Sequence, residues 1–197
     1  MAHLGAGRRS AARRLRQRLR ARLQQLPGNW QLHFVLFATL LALAEEAITT
    51  TLTNLAPAFG SQVGVAFITA SSSYLEVVLY NSVIVFVPMF IVWAWLLRRY
   101  AFSPNSVLLL FGITGVLAEA IYGGAQALLA APFWILVYGL MVYLPAYTLA
   151  QGRGARPPRS WHYALAVLMP LAAAAVMALV VLALSPHLPH FGPDFTK

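Results

Sequence analysis

Apolar residues fall in five long runs, at 32–56, 74–97, 106–131, 133–150 and 162–185. A bilayer core about 30 Å thick is crossed by about 20 helical residues. The pattern therefore predicts five transmembrane helices. Polar, Gly-rich or Arg-rich stretches separate them. The first of these separators, residues 59–73, is mildly apolar and rich in Gly, Ser and Thr. It reads as an interfacial or re-entrant piece, or as an extension of the second helix with Thr69 to Ser73 as N-caps. Pro88 and Pro170 fall inside runs and predict kinks. Ahead of the first run, Leu15, Leu19, Leu23 and Leu26 recur at helical spacing among arginines and stop at Pro27-Gly28. That spacing predicts a basic amphipathic helix on the membrane surface. The other readings of this segment are a basic tail that only sets topology and an organelle transit peptide.

The predicted fold is thus all-α, a polytopic membrane bundle of five spans behind a surface helix. Its domains are 1–28, the basic segment; 29–186, the transmembrane bundle; and 187–197, a short Pro/His tail. Composition agrees. Of 197 residues 60% are hydrophobic and 10% charged, where soluble domains carry roughly 25% charged. The net charge of +9 is uneven, with eight arginines between Arg8 and Arg22. Arg13, Arg14, Arg16, Arg18, Arg20 and Arg22 would meet anionic lipid headgroups. No aromatics interleave with them, which argues against nucleic acid. Arg98-Arg99 and Arg153, Arg156 and Arg159 supply the other basic loops. Five spans put all three basic places on one side, so the N-terminus is expected inside and the C-terminus outside. A bacterial or archaeal cytoplasmic membrane suits that pattern. The absence of cysteine excludes disulfides, thiolate metal sites and cysteine nucleophiles.

Carboxylates inside apolar runs carry the candidate chemistry, because a charge at that depth costs at least a few kcal/mol. Glu45 and Glu46 lie about halfway along the first run, and Glu119 near the middle of the third. Glu45 leads to Thr49 and Thr53, and Glu46 to Thr50 and Asn54, at four-residue steps. This makes a hydroxyl and amide track toward the outer side. Glu76 opens the second run, with Asn81 about a turn on. Tyr122 and Gln126 share the face of Glu119 with Gly112 and Gly115, whose small size lets another helix approach. Leu43-Ala-Glu-Glu-Ala-Ile48 echoes Leu117-Ala-Glu-Ala-Ile121, and residues 82–90 echo 139–147. Spans 1–2 and 3–4 therefore read as a parallel duplication, with Glu45, Glu46 and Glu119 facing one another at one depth.

No Lys or Arg lies within the runs. Such carboxylates must be protonated, share a proton or bind a cation. Oxygen ligands alone suit protons or hard cations, sodium or a divalent ion, rather than soft metals. The sequence requires no cofactor. The glutamate pair resembles the paired glutamates of prenyl-endopeptidase-like intramembrane proteases. Thr49 to Thr51 stand where that family has an arginine, however, and no histidine lies at mid-depth in a run, so the resemblance is set aside. His33 and His162 read as interfacial anchors. The leading expectation is a proton- or cation-coupled transporter or channel with Glu45, Glu46, Glu119 and Glu76 as its binding groups. Five spans are few for an alternating-access machine, which points to a homo-oligomer or a larger membrane complex. Beside it stand a non-catalytic membrane subunit or assembly factor, using protonated glutamates as interhelical hydrogen bonds, and a carboxylate–metal enzyme acting on a lipid.

Overall fold

The structure is a computed structural model of the chain. It describes residues 17–18, 20–63, 69–150 and 155–185, without the side chains at 122, 123, 126 and 127. Arg13, Arg14, Arg16, Arg153 and the tail 187–197 lie outside the described residues, as do the side chains of Tyr122 and Gln126. Among the described residues the fold is all-helical, with no strand beyond one isolated bridge. The helices are α1 (Trp30–Asn54), α2 (Tyr74–Asn81), α3 (Val83–Arg99), α4 (Pro104–Gly123), α5 (Ala131–Pro145) and α6 (Ser160–Leu184).

Local sequence explains the starts. The Asn29 side chain caps α1 by accepting from the Gln31 N–H at 2.9 Å. Ser103 does the same for α4 through the Ser106 N–H at 3.1 Å, with Pro104 in the first turn. Four helices are long and apolar enough to cross a membrane. They are α1, α4 up to Ile121, the Leu128–Ala150 stretch that contains α5, and α6. The α2–α3 pair makes a fifth span if its 47° bend is counted within one crossing. Many large apolar side chains are exposed, among them Leu40 and Leu52 of α1, Ile121 of α4 and Val176 and Leu179 of α6. An exposed apolar coat of this kind suits a lipid-facing surface.

The helices close into a ring in which each packs on two others, in the order α1, α3, α6, α4, α5 and back to α1. Rings from three of them fill the centre. Phe86 of α3 meets Tyr138 of α5 edge-on at 5.6 Å, and Phe90 of α3 meets Phe111 of α4 at 5.7 Å. The side of α6 turned inward is a stripe of Ala166, Pro170, Ala174 and Ala178 at four-residue steps. Small residues there let α6 approach α3 and α4 closely.

Three expectations about the spans need correction. The second span bends by 47° at Ser82, with Pro88 further on within the helix. The cause is a π-helical turn at Val77–Asn81, where the Ser82 N–H bonds the Val77 carbonyl at 2.8 Å and one extra residue is accommodated. Pro170 likewise lies inside an unbroken helix. The third span ends at Gly123 rather than 131. Gly124 has φ +88°, which L side chains rarely adopt. Residues Ala125–Ala130 beyond it are a 3₁₀ segment leading into α5. Finally, residues 69–73 are not a helical extension of the second span; Ser73 caps α2 and the preceding residues run as bends.

The basic segments gather at one end of the ring. Gln31 at the start of α1 donates to the Ala94 carbonyl near the end of α3, at 3.5 Å. The Arg20 guanidinium lies 5.5 Å over the Tyr147 ring. Backbone bonds join the loops after α3 and before α6: the Ala101 N–H donates to the Arg156 carbonyl (2.7 Å) and the Arg156 N–H to the Arg99 carbonyl (3.0 Å). His162 is buried there rather than anchored in an interface. Its Nδ1 accepts from the Arg159 N–H at 2.7 Å, and its ring packs 3.9 Å from those of Tyr100 and Trp161. At the far end, the Asn54 side chain donates to the Ser72 carbonyl at 2.9 Å.

Candidate functional site

The site begins with how α1 is turned. Glu46, Thr49, Thr50 and Thr53 share one helical face, and all four are buried. Glu45, next to them, is half-buried. The Thr49 hydroxyl lies 3.3 Å from the Glu46 carboxylate and also reaches the Glu45 carbonyl at 3.2 Å. Ser82, at the bend of the second span, and Thr69 present their hydroxyls to the same carboxylate.

Glu119 comes from α4, which does not adjoin α1 in the ring. Between them lies α5, and it supplies the connection: the buried Tyr138 hydroxyl donates to Glu119 Oε1. Glu45 and Glu46 both lie within electrostatic reach of Glu119, and Tyr138 is within reach of all three. These interactions set the three carboxylates within electrostatic reach of one another. Tyr138 reaches Glu119 because Gly115, one turn earlier on α4, leaves room: a Cβ there would overlap the Tyr138 ring. Gly112 and Gly139 let the same two helices touch, since a Cβ on either would sit 2.6 Å from a backbone oxygen, of Ile135 and Leu108 respectively.

Depth differs from expectation. At 1.5 Å per residue, Glu46 is about 24 Å from the start of α1 and about 12 Å from its end. Glu119 stands one turn before Gly123, because the glycine pair stops α4 early. The cluster thus lies toward the far end and not halfway along the bundle. Glu76 sits apart from it, its carboxylate accepting from Ser71 Oγ at 2.7 Å. Asn81 donates to the Glu76 carbonyl at 3.2 Å. Asn54 is exposed and engaged with Ser72. Tyr138, Ser82 and Thr69 were not legible as site residues. The glycines at 112 and 115 announce a close helix, but not which tyrosine it brings.

Among the described residues, no three His, Asp or Glu side chains are grouped as ligands for one metal ion. Each carboxylate of the cluster except Glu45 instead has a hydroxyl donor, Tyr138 for Glu119 and Thr49 for Glu46. Hydroxyl donors of that kind can hold a carboxylate in place and can also pass a proton along. Comparison with protein-family models, with curated proteins and with solved structures finds no match.

Proposed function

We propose that this chain is a small proton- or cation-coupled carrier or channel of a bacterial or archaeal cytoplasmic membrane, with Glu45, Glu46 and Glu119 as the exchanging groups. One observation supports it above others. Carboxylates from two helices that do not adjoin are drawn together around Tyr138, and no Lys or Arg lies within any of the runs to neutralise them. Three such groups in apolar surroundings cannot all remain charged without a counter-ion, so they hold a proton or cation in common. Occupancy that can change hands is what coupled transport needs. Thr49, Thr50 and Thr53 are the supporting polar track in this reading, and Glu76 with Asn81 guards its far end. Arg18, Arg20 and Arg22, with Arg13, Arg14 and Arg16 before them, bind the anionic cytoplasmic leaflet.

The test is flux. Purified full-length protein in vesicles carrying an internal pH dye should dissipate an imposed proton gradient faster than empty vesicles, or do so only when sodium or another cation is supplied. Vesicles that leak no faster than empty ones under every cation offered would sink this reading. A second reading has its own support, since the Tyr138–Glu119 hydrogen bond ties α4 to α5. Under it the protein is a non-catalytic subunit or assembly factor, and the carboxyls are interhelical fasteners. Inactive vesicles together with intact folding in Glu119→Gln, whose amide carbonyl can still accept from Tyr138, would favour it.

Sidedness is tested separately. With the basic end inside and five crossings, cysteines introduced at Ser10 and Ser160 should be protected from an impermeant thiol reagent in intact cells, and one at Thr196 labelled. Protection of all three would require an even number of crossings and overturn the five-span topology.

A further inference from the structure

Threonines inside transmembrane helices usually bond back to the carbonyl four residues earlier. In this protein Thr39, Thr49, Thr51, Thr114 and Thr148 all do so, at 2.6 to 3.2 Å. Thr50 and Thr53 do not. They are 4% and 3% exposed, and neither hydroxyl has a partner among the described residues. Thr69 across from them is 8% exposed and presents its hydroxyl to Glu46. A buried hydroxyl left without a partner is costly. Two such hydroxyls beside Glu46 make a polar recess, and a recess with several donors and acceptors is where buried water sits.

Two of these hydroxyls share one face of α1. Thr50 and Thr53 follow Glu46 by one and two turns on its own face, covering about 10 Å toward the far end of α1. Thr69 and Ser82 stand opposite, beside the bend that interrupts the second span. In the other direction the same face of α1 is apolar. Ala42, Ala38 and Phe34 step back from Glu46 at four-residue intervals, each wholly buried; Phe90 of α3 is wholly buried as well, and so is Trp93, whose indole N–H has no partner among the described residues.

We infer that the carboxylate site is reached from one side only: a hydrated path lined by Thr50, Thr53 and Thr69 joins Glu46 to the far end, and the apolar layer at Phe34, Ala38 and Ala42 seals it from the basic end. This deepens the carrier reading by naming the side from which its site exchanges. In the N-in topology that side is the outer one.

The chain has no native cysteine, so single substitutions report directly. In vesicles of full-length protein, Thr50→Cys and Thr53→Cys should react with a small charged, impermeant thiol reagent from the face that labels the exposed control Ser72→Cys. They should resist it from the face that labels Ser160→Cys. Ala42→Cys should resist it from both faces. Labelling of Ala42→Cys from the basic face, or threonine-site cysteines inert from both faces while Ser72→Cys reacts, would overturn the path. Thr50→Val with Thr53→Val guards against a cysteine that perturbs packing. It keeps side-chain shape, and it should slow hydrogen–deuterium exchange of the Glu46 carboxyl in infrared spectra; unchanged exchange counts against the path. Vesicles that carry no flux while Thr53→Cys still labels would remove the carrier reading and leave the hydrated path standing.

Discussion

Glu46→Gln and Glu119→Gln are each expected to abolish coupled flux, lowering it by about two orders of magnitude, the low end of what a positioned proton-transfer group contributes. The reasoning is one of shared occupancy. Glu45, Glu46 and Glu119 interact with one another and with Tyr138, so an exchangeable proton or cation belongs to the group and not to one residue. Glutamine keeps the volume and a hydrogen-bonding carbonyl but cannot give up a proton. Infrared difference spectra give the coupling. Glu119→Gln should alter the same protonated-carboxyl band that Glu46→Gln alters, and the double substitution should not add a second change. Separate bands changing additively would show that the carboxyls act independently, and the shared site would fall. Wild-type flux in both variants would remove the carboxyls from the transport step altogether.

The second large effect is structural. Gly139→Val and Gly112→Val should destabilise the bundle by about 1–3 kcal/mol each, the usual range for overpacking. At Gly112 and Gly139 the clash is with backbone oxygens 2.6 Å away, which no rotamer change relieves. Gly115→Ala should add a loss that the others lack, because its Cβ would displace the Tyr138 ring and with it the bond to Glu119. Melting temperature in detergent reads the first effect, and the Glu119 carboxyl band reads the second. Unaltered melting in Gly139→Val would rule out the close α4–α5 contact. A Glu119 band that stays put in Gly115→Ala would detach that glycine from the site.

The helices themselves were legible because a run of apolar residues long enough to span a bilayer has few other ways to satisfy its backbone. The grouping of Glu45 and Glu46 on one face with Thr49, Thr50 and Thr53 followed from periodicity alone. Other features depend on contacts that periodicity does not encode. The bend came at Ser82 because a π turn inserts there, whereas proline at 88 is accommodated within the helix. The third span stopped at Gly123 because Gly124 takes a positive φ, and a glycine pair inside an apolar run looks, by composition, like more helix. Tyr138, visible as a polar residue of the fourth run, cannot be assigned to Glu119 from sequence because the two are 19 residues apart, a separation set by how the α4–α5 hairpin closes. His162 was read as an anchor, but its ring caps its own helix. Only the folded chain brings Tyr100 against it.

The pair of backbone bonds between residues 99–101 and Arg156 has a mechanical consequence. It rivets the link between α3 and α4 to the link between α5 and α6, so four helices share one stiff base plate. The π turn before Ser82 and the positive-φ Gly124 lie toward the opposite rim, while a second π turn, Ala146–Ala150, lies at the basic one. The cross-linked loops thus stand at the end away from Glu119, Ser82 and the threonines.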